Sequence, residues 1–116
     1  MVSTETPICN FGEKAPDFNL MGVDGKQWSR DDCLGPHGLL VMFICNHCPY
    51  VKAINHKLVR DSTDLAAIGV NSVAIMSNDP HDYPEDSFEN MKRVARELKY
   101  PFPYLIDESQ EVARAY

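Results

Sequence analysis

The sequence predicts a small α/β domain, and three observations carry that prediction. Two apolar stretches, residues 39–44 and 70–76, have the length and two-faced hydrophobicity of strands inside a sheet covered by helices on both sides. Between them Val51, Ile54, Leu58, Leu65 and Ile68 fall close to multiples of 3.6, the mark of a long amphipathic helix. A strand, a helix and a strand in that order form a βαβ unit, with parallel pairing and a right-handed crossover. The chain has 116 residues, enough for one domain with a real core, so residues 1–116 are read as a single unit.

The remaining elements follow in order. Residues 1–15 are polar and broken by Pro7 and Gly12, which suits a loop or arm. Residues 17–20 and 26–29 alternate polar and apolar around Asp24-Gly25, a strong signal for an N-terminal β-hairpin. Residues 31–38 read as a loop, and Gly69 stands where the long helix needs a C-cap. Residues 77–86 form a polar loop whose acidic part, from Asp79 to Asp86, reads as solvated. Phe88, Met91, Val94, Ala95 and Leu98 mark a second amphipathic helix, with Glu89 and Arg93 as an exposed i,i+4 pair. Tyr104-Leu105-Ile106 is a short strand at best, since Pro103 limits its ladder, and a further helix begins after Glu108.

Net charge of −6, with lysines and arginines scattered, disfavours nucleic acid as a partner. No apolar run approaches the roughly 18–20 residues of a membrane span. The first residues lack a secretory signal, so no membrane association and a cytoplasmic location are expected. In that setting four cysteines do not form a disulfide framework.

Cys45 and Cys48 stand apart from Cys9 and Cys33 because they form a CxxC directly after the first apolar strand. Disulfide exchange needs one thiolate that attacks and a second thiol that resolves the mixed disulfide. Pro49 belongs in the first turn of a helix, so the helix starts beneath the dithiol. Its unpaired N–H groups and positive dipole end are then expected to lower the Cys45 pKa. His47, between the cysteines, can donate a hydrogen bond or a charge to the thiolate, which stabilises the reduced form and makes the disulfide more oxidising. Asn46, Pro49 and Tyr50 flank the thiols and are candidate substrate contacts. Other readings compete. Haem attachment requires histidine where Pro49 stands. A zinc or copper(I) site would use Cys45, Cys48 and a histidine, with Cys33, His37, His47 and His56 as the available ligands. Two buried structural cysteines are the plainest alternative.

The segment Phe43-Ile44-Cys45-Asn46-His47-Cys48-Pro49-Tyr50-Val51 resembles the CNHCPYV-type motif of thioredoxin-like proteins in the alkyl hydroperoxide reductase/thiol-specific antioxidant (AhpC/TSA) superfamily. Residues 12–20, of G-x-x-A-P-x-F-x-L type, and residues 101–107, close to F-P-x-L-x-D, extend the resemblance, as do residues 112–116. It implies a thioredoxin-like fold, Cys45 as nucleophile, Cys48 as resolving thiol and no bound cofactor. The implied partners are protein or small-molecule disulfides and thiols, with peroxides as a further class. Three departures matter. Strand 39–44 lacks the buried carboxylate that thioredoxin has, leaving water or His47 to move the proton. Met42 and Phe43 stand where peroxiredoxins carry the threonine of P-x-x-x-T-x-x-C, which weighs against a thiol peroxidase. The family's cis-proline segment, C-terminal strand pair and final helix have no counterpart before Tyr116, so the chain reads as a fragment, a truncated form, or a swapped or dimeric form whose open sheet edge favours a homodimer.

Outside the dithiol, Cys9 and Cys33 read as incidental, though Cys33 could serve as an extra resolving thiol if its loop lay near Cys45. His37, His56 and His81 read as bystanders and Trp28 as core or sheet covering.

Overall fold

The computed structural model of the chain describes residues 10–116; Cys9 lies outside them. The first strands among the described residues are β1 (Asn19–Gly22) and β2 (Gln27–Ser29), paired antiparallel with Leu20 opposite Trp28. The Asp24-Gly25 turn closes this hairpin as its sequence requires. Gly25 takes φ +80°, and Asp24 Oδ1 accepts from the Lys26 N–H at 3.1 Å and from Trp28 Nε1 at 3.2 Å.

A short helix, α1 (Arg30–Cys33), follows where a loop was expected. The cause is a capping box. Ser29 Oγ accepts from the Asp32 N–H at 3.2 Å, while Asp32 returns a carboxylate oxygen to the Ser29 N–H at 3.0 Å. Glycine, proline and aspartate nearby hide this reciprocal pair in the sequence.

The βαβ unit consists of β3 (Gly38–Phe43), α2 (Pro49–Ala67) and β4 (Val70–Met76), with β3 and β4 parallel from Gly38↔Val70 to Phe43↔Ile75. Gly69 ends α2 at φ +87°, and a Cβ there would lie 2.5 Å from His37 Cδ2. Both the backbone conformation and the close approach of the β3 loop therefore require glycine. A 3₁₀ turn (Pro84–Asp86), α3 (Phe88–Glu97), β5 (Tyr104–Ile106) and α4 (Glu111–Ala115) complete the chain. On α3 the ion pairs are Lys92 with Glu89 and Arg93 with Glu97, so Glu89 does not pair with Arg93 as its spacing suggested.

The five strands form one mixed sheet in the order β2-β1-β5-β4-β3. Two expectations change here. First, β3 is an edge strand among the described residues: Leu40 and Phe43 are exposed, and of the described strands β4 alone pairs with it. Its apolar run matched a central strand because hydrophobicity records partial burial on both faces, not the number of paired neighbours. Second, β5 is central and fully covered, with Tyr104 and Leu105 buried between antiparallel β1 and parallel β4. Pro103 lacks an N–H yet still joins the ladder, because its carbonyl accepts from the Ala74 N–H at 3.0 Å.

Alternation along β4 and β5 divides the core into two layers. Ala74, Met76, Tyr104 and Ile106 face one side, with Met91 of α3, Val51 of α2, Cys45 and Cys48. Val73, Ile75 and Leu105 face the other, with Phe18, Cys33 and Val112 of α4. Among the described residues no helix is long and apolar enough to cross a membrane.

A buried carboxylate ties β5 to the helix that follows it. Asp107 accepts from Ser77 Oγ at 2.9 Å, from the Ala113 N–H at 3.0 Å and from the Val112 N–H at 3.4 Å. Asp107→Ala leaves those donors without their acceptor and is expected to lower stability by about 1–3 kcal/mol. Urea unfolding monitored by circular dichroism checks this; an unchanged midpoint would contradict it.

Candidate active site

The dithiol sits at the junction of β3 and α2. Ile44 still pairs with β4, its N–H donating to Ile75 O at 3.0 Å, and the chain then leaves the sheet at Cys45. Cys48 is the N-cap of α2 and Pro49 its first residue, so the helix starts where the missing proline N–H costs nothing. Both cysteines are thiols and both are buried, Cys45 at 9% exposure and Cys48 at 2%. Access to Cys45 runs through a cavity of about 200 Å³ bounded by Phe43, Val51, Ser77 and Asn78.

The Cys45 sulfur accepts from the backbone N–H groups of Cys48 and His47, the helix-start arrangement read from the sequence. The expected lowering of its pKa does not follow. Burial pushes the thiol up, the Cys48 N–H opposes it, the Asp86 carboxylate adds to the rise, and the net direction is upward. Desolvation and a carboxylate from a distant loop here outweigh the helix terminus.

That carboxylate is the principal residue missed. Asp86 is fully buried at the end of the 3₁₀ turn, although its acidic stretch read as solvated. Its Oδ1 accepts from the Asn46 N–H at 2.6 Å and the His47 N–H at 3.2 Å. Its Oδ2 accepts from Asn78 Nδ2 at 3.0 Å and pairs with His47 Nδ1. Buried carboxylates persist where donors surround them, and this one has four. Strand 39–44 holds no acid, so the buried carboxylate beside the thiol comes from a loop about forty residues downstream. Nothing in the acidic run distinguishes Asp86 from its exposed neighbours. The only hint is its position before Ser87, which caps α3 through a hydrogen bond from the Asn90 N–H at 3.2 Å.

The flanking residues divide by role. His47 stacks on Tyr83, with ring centroids 4.6 Å apart and 7° between planes, so its imidazole is held between that ring and Asp86. Asn46 is buried, and its amide is committed inward: Nδ2 donates to Glu85 O at 3.0 Å and Oδ1 accepts from Tyr104 Oη at 2.9 Å. Burial, with lesser contributions from Tyr100, Asp86 and Cys45, raises the Tyr104 phenol and keeps it a donor. Tyr50 is 73% exposed and does not line the cavity beside the thiols. Cys33 lies in the other core layer, across the sheet, where burial and then Asp32 push its thiol up to about 11. It is not brought to Cys45. His37 and His56 are likewise not gathered with the dithiol. Among the described residues the cluster that could hold a metal ion is Cys45, His47 and Asp86.

A five-stranded mixed sheet with a CxxC at a strand-to-helix junction defines a thioredoxin-like α/β protein. Residues 11–116 match the AhpC/TSA family, and the chain belongs to that family. It is 52% identical to an uncharacterized conserved protein from Geobacillus kaustophilus, with a TM-score of 0.95, covering 100% of this chain and 62% of that one. A hypothetical protein from Sinorhizobium meliloti is 37% identical with a TM-score of 0.89, covering 98% of this chain and 62% of that one. The thioredoxin-family thiol:disulfide interchange protein of Chlorobium tepidum shares the fold, with a TM-score of 0.70 at 23% identity, covering 88% of this chain and 64% of that one. The chain thus spans 62% of the length of the first two. A search of the curated proteins finds no match.

Proposed function

We propose that the protein is a thiol–disulfide oxidoreductase with Cys45 as nucleophile and Cys48 as resolving thiol. One observation carries this reading: the Cys45 sulfur meets two backbone N–H donors at the start of α2, with Cys48 as that helix's N-cap and a buried carboxylate alongside. Cys45 gives up its proton toward the His47–Asp86 pair, and its sulfur attacks one sulfur of a substrate disulfide. The substrate S–S bond breaks, a mixed disulfide forms and one substrate thiolate leaves. Cys48 then attacks the Cys45 sulfur and releases the second substrate thiol. Two electrons pass to the substrate, and the protein is left as the Cys45–Cys48 disulfide. The same steps run in reverse when the protein oxidises a dithiol.

His47 still acts in the direction assigned to it from the sequence, since its N–H lowers the Cys45 pKa, but burial and the Asp86 carboxylate outweigh it. The protein's substrates on this reading are disulfides of proteins or small molecules that the dithiol reduces. Cys48→Ser removes the resolving step and is expected to trap mixed disulfides at Cys45. Intact-mass spectrometry after incubation with glutathione disulfide should show one adduct per chain that dithiothreitol removes. Recovery of the unmodified variant would overturn the assignment.

A further inference from the structure

The acid that completes the active site also completes a set of metal ligands. One ligand atom each from Cys45, His47 and Asp86 lies within 4.8 Å of the other two. We propose that the reduced site binds one Zn²⁺ through the Cys45 thiolate, the His47 imidazole and the Asp86 carboxylate, and that zinc thereby blocks the dithiol reversibly. The regulatory part of this proposal rests on the oxidoreductase reading above.

The choice of ion follows from the ligand set. Sulfur, imidazole nitrogen and carboxylate oxygen together suit zinc, whereas copper(I) favours an all-sulfur set and magnesium or calcium an all-oxygen one. A thiolate, a carboxylate and a neutral imidazole also balance the charge of a divalent ion, so a pocket that keeps two anions out of water becomes neutral on binding. Tetrahedral zinc spaces such ligand atoms by about 3.3–3.8 Å, so a pair as far apart as 4.8 Å has to converge by about 1–1.5 Å, while the touching His47 Nδ1 and Asp86 Oδ2 have to separate to admit the ion. His47 and Asp86 already touch, and the ion takes the place of the proton between them. Asp86 is oriented by the N–H groups of Asn46 and His47 and by Asn78, an outer shell that holds a ligand in place before the ion arrives. Three protein ligands leave the fourth position to water. Binding releases the Cys45 proton, leaves the neutral imidazole with its proton on Nε2 and changes no oxidation state. Formation of the Cys45–Cys48 disulfide removes the thiolate, so zinc binds only the reduced chain.

The test uses reduced, metal-free protein titrated with Zn²⁺ by calorimetry and with Co²⁺ as an optical probe of thiolate ligation. One equivalent is expected to bind the dithiol form, with a sulfur-to-cobalt charge-transfer band, and none the disulfide form. His47→Gln and Asp86→Asn, each verified as folded by circular dichroism, are expected to weaken binding roughly 10–100-fold. His47 is partly exposed, so its variant remains informative even if Asp86→Asn fails to fold. Disulfide exchange should fall on adding Zn²⁺ and return with a chelator. Equal binding by the dithiol and disulfide forms overturns the proposal, as does wild-type affinity in His47→Gln, which would assign the ion to the thiols alone. Exchange that proceeds in chelator and is insensitive to a bound zinc ion overturns the regulatory part. No exchange in chelator, with the binding isotherm intact, overturns the oxidoreductase reading instead.

Discussion

Cys45→Ser is expected to reduce disulfide exchange to the background of the buffer thiol, a loss of several orders of magnitude, because serine cannot form the mixed disulfide. Insulin reduction or turnover of an aromatic disulfide measures it. Residual exchange above that of Cys45→Ser/Cys48→Ser would assign the attack to another thiol. The pH dependence of the native protein should follow the environment of Cys45. Burial and the Asp86 carboxylate outweigh the Cys48 and His47 N–H groups, so the thiol titrates above the ordinary cysteine value of about 8.5. The thiolate is the attacking form. The Cys45 alkylation rate should therefore rise across the neutral range, about tenfold per pH unit, and level off only at alkaline pH. A plateau already reached at neutral pH would reverse the conclusion that burial dominates here.

Asp86→Ala is expected to destabilise the fold strongly, by about 3–5 kcal/mol, since a fully buried carboxylate is lost and its four donors, one buried and three partly buried, lose one acceptor. Denaturant unfolding reports the loss. Asp86→Asn separates structure from charge. Its carbonyl can still accept from the Asn46 and His47 N–H groups, while the negative charge that raises Cys45 is gone. The alkylation midpoint of Cys45 should then move down. A midpoint that stays in place would mean that desolvation alone sets it. The pair of variants is needed because alanine confounds proton transfer with the collapse of the loop.

Local features of this fold were legible in the sequence for reasons that are themselves local. Asp24-Gly25 closes the hairpin with atoms from residues 24–28, and the 3.6-residue spacing of Val51 to Ile68 names a helix without reference to anything else. The dithiol was legible because a CxxC between an apolar strand and a proline has few other geometries. Position within the sheet was not legible. The apolar run of β3 resembles a central strand and β5 looks marginal, yet their places are exchanged because strand order depends on pairing between distant segments. Asp86 was hidden for the same reason. Its burial is decided by Asn46 and His47, and no pattern within residues 79–86 records them.

The hydrogen bonds of Asn46 span that distance twice, to Glu85 and Asp86 on one side and to Tyr104 on the other, separations of 39, 40 and 58 residues. Such non-local contacts close late, after the chain has met the entropy of a long loop. Until then Cys45 and Cys48 are two ordinary thiols on an open segment, without a hindered sulfur or an adjacent acid. The chemical individuality of the dithiol is thus a property of the finished sheet. A nascent or heat-loosened chain would exchange disulfides indiscriminately, at the rates of simple mercaptans.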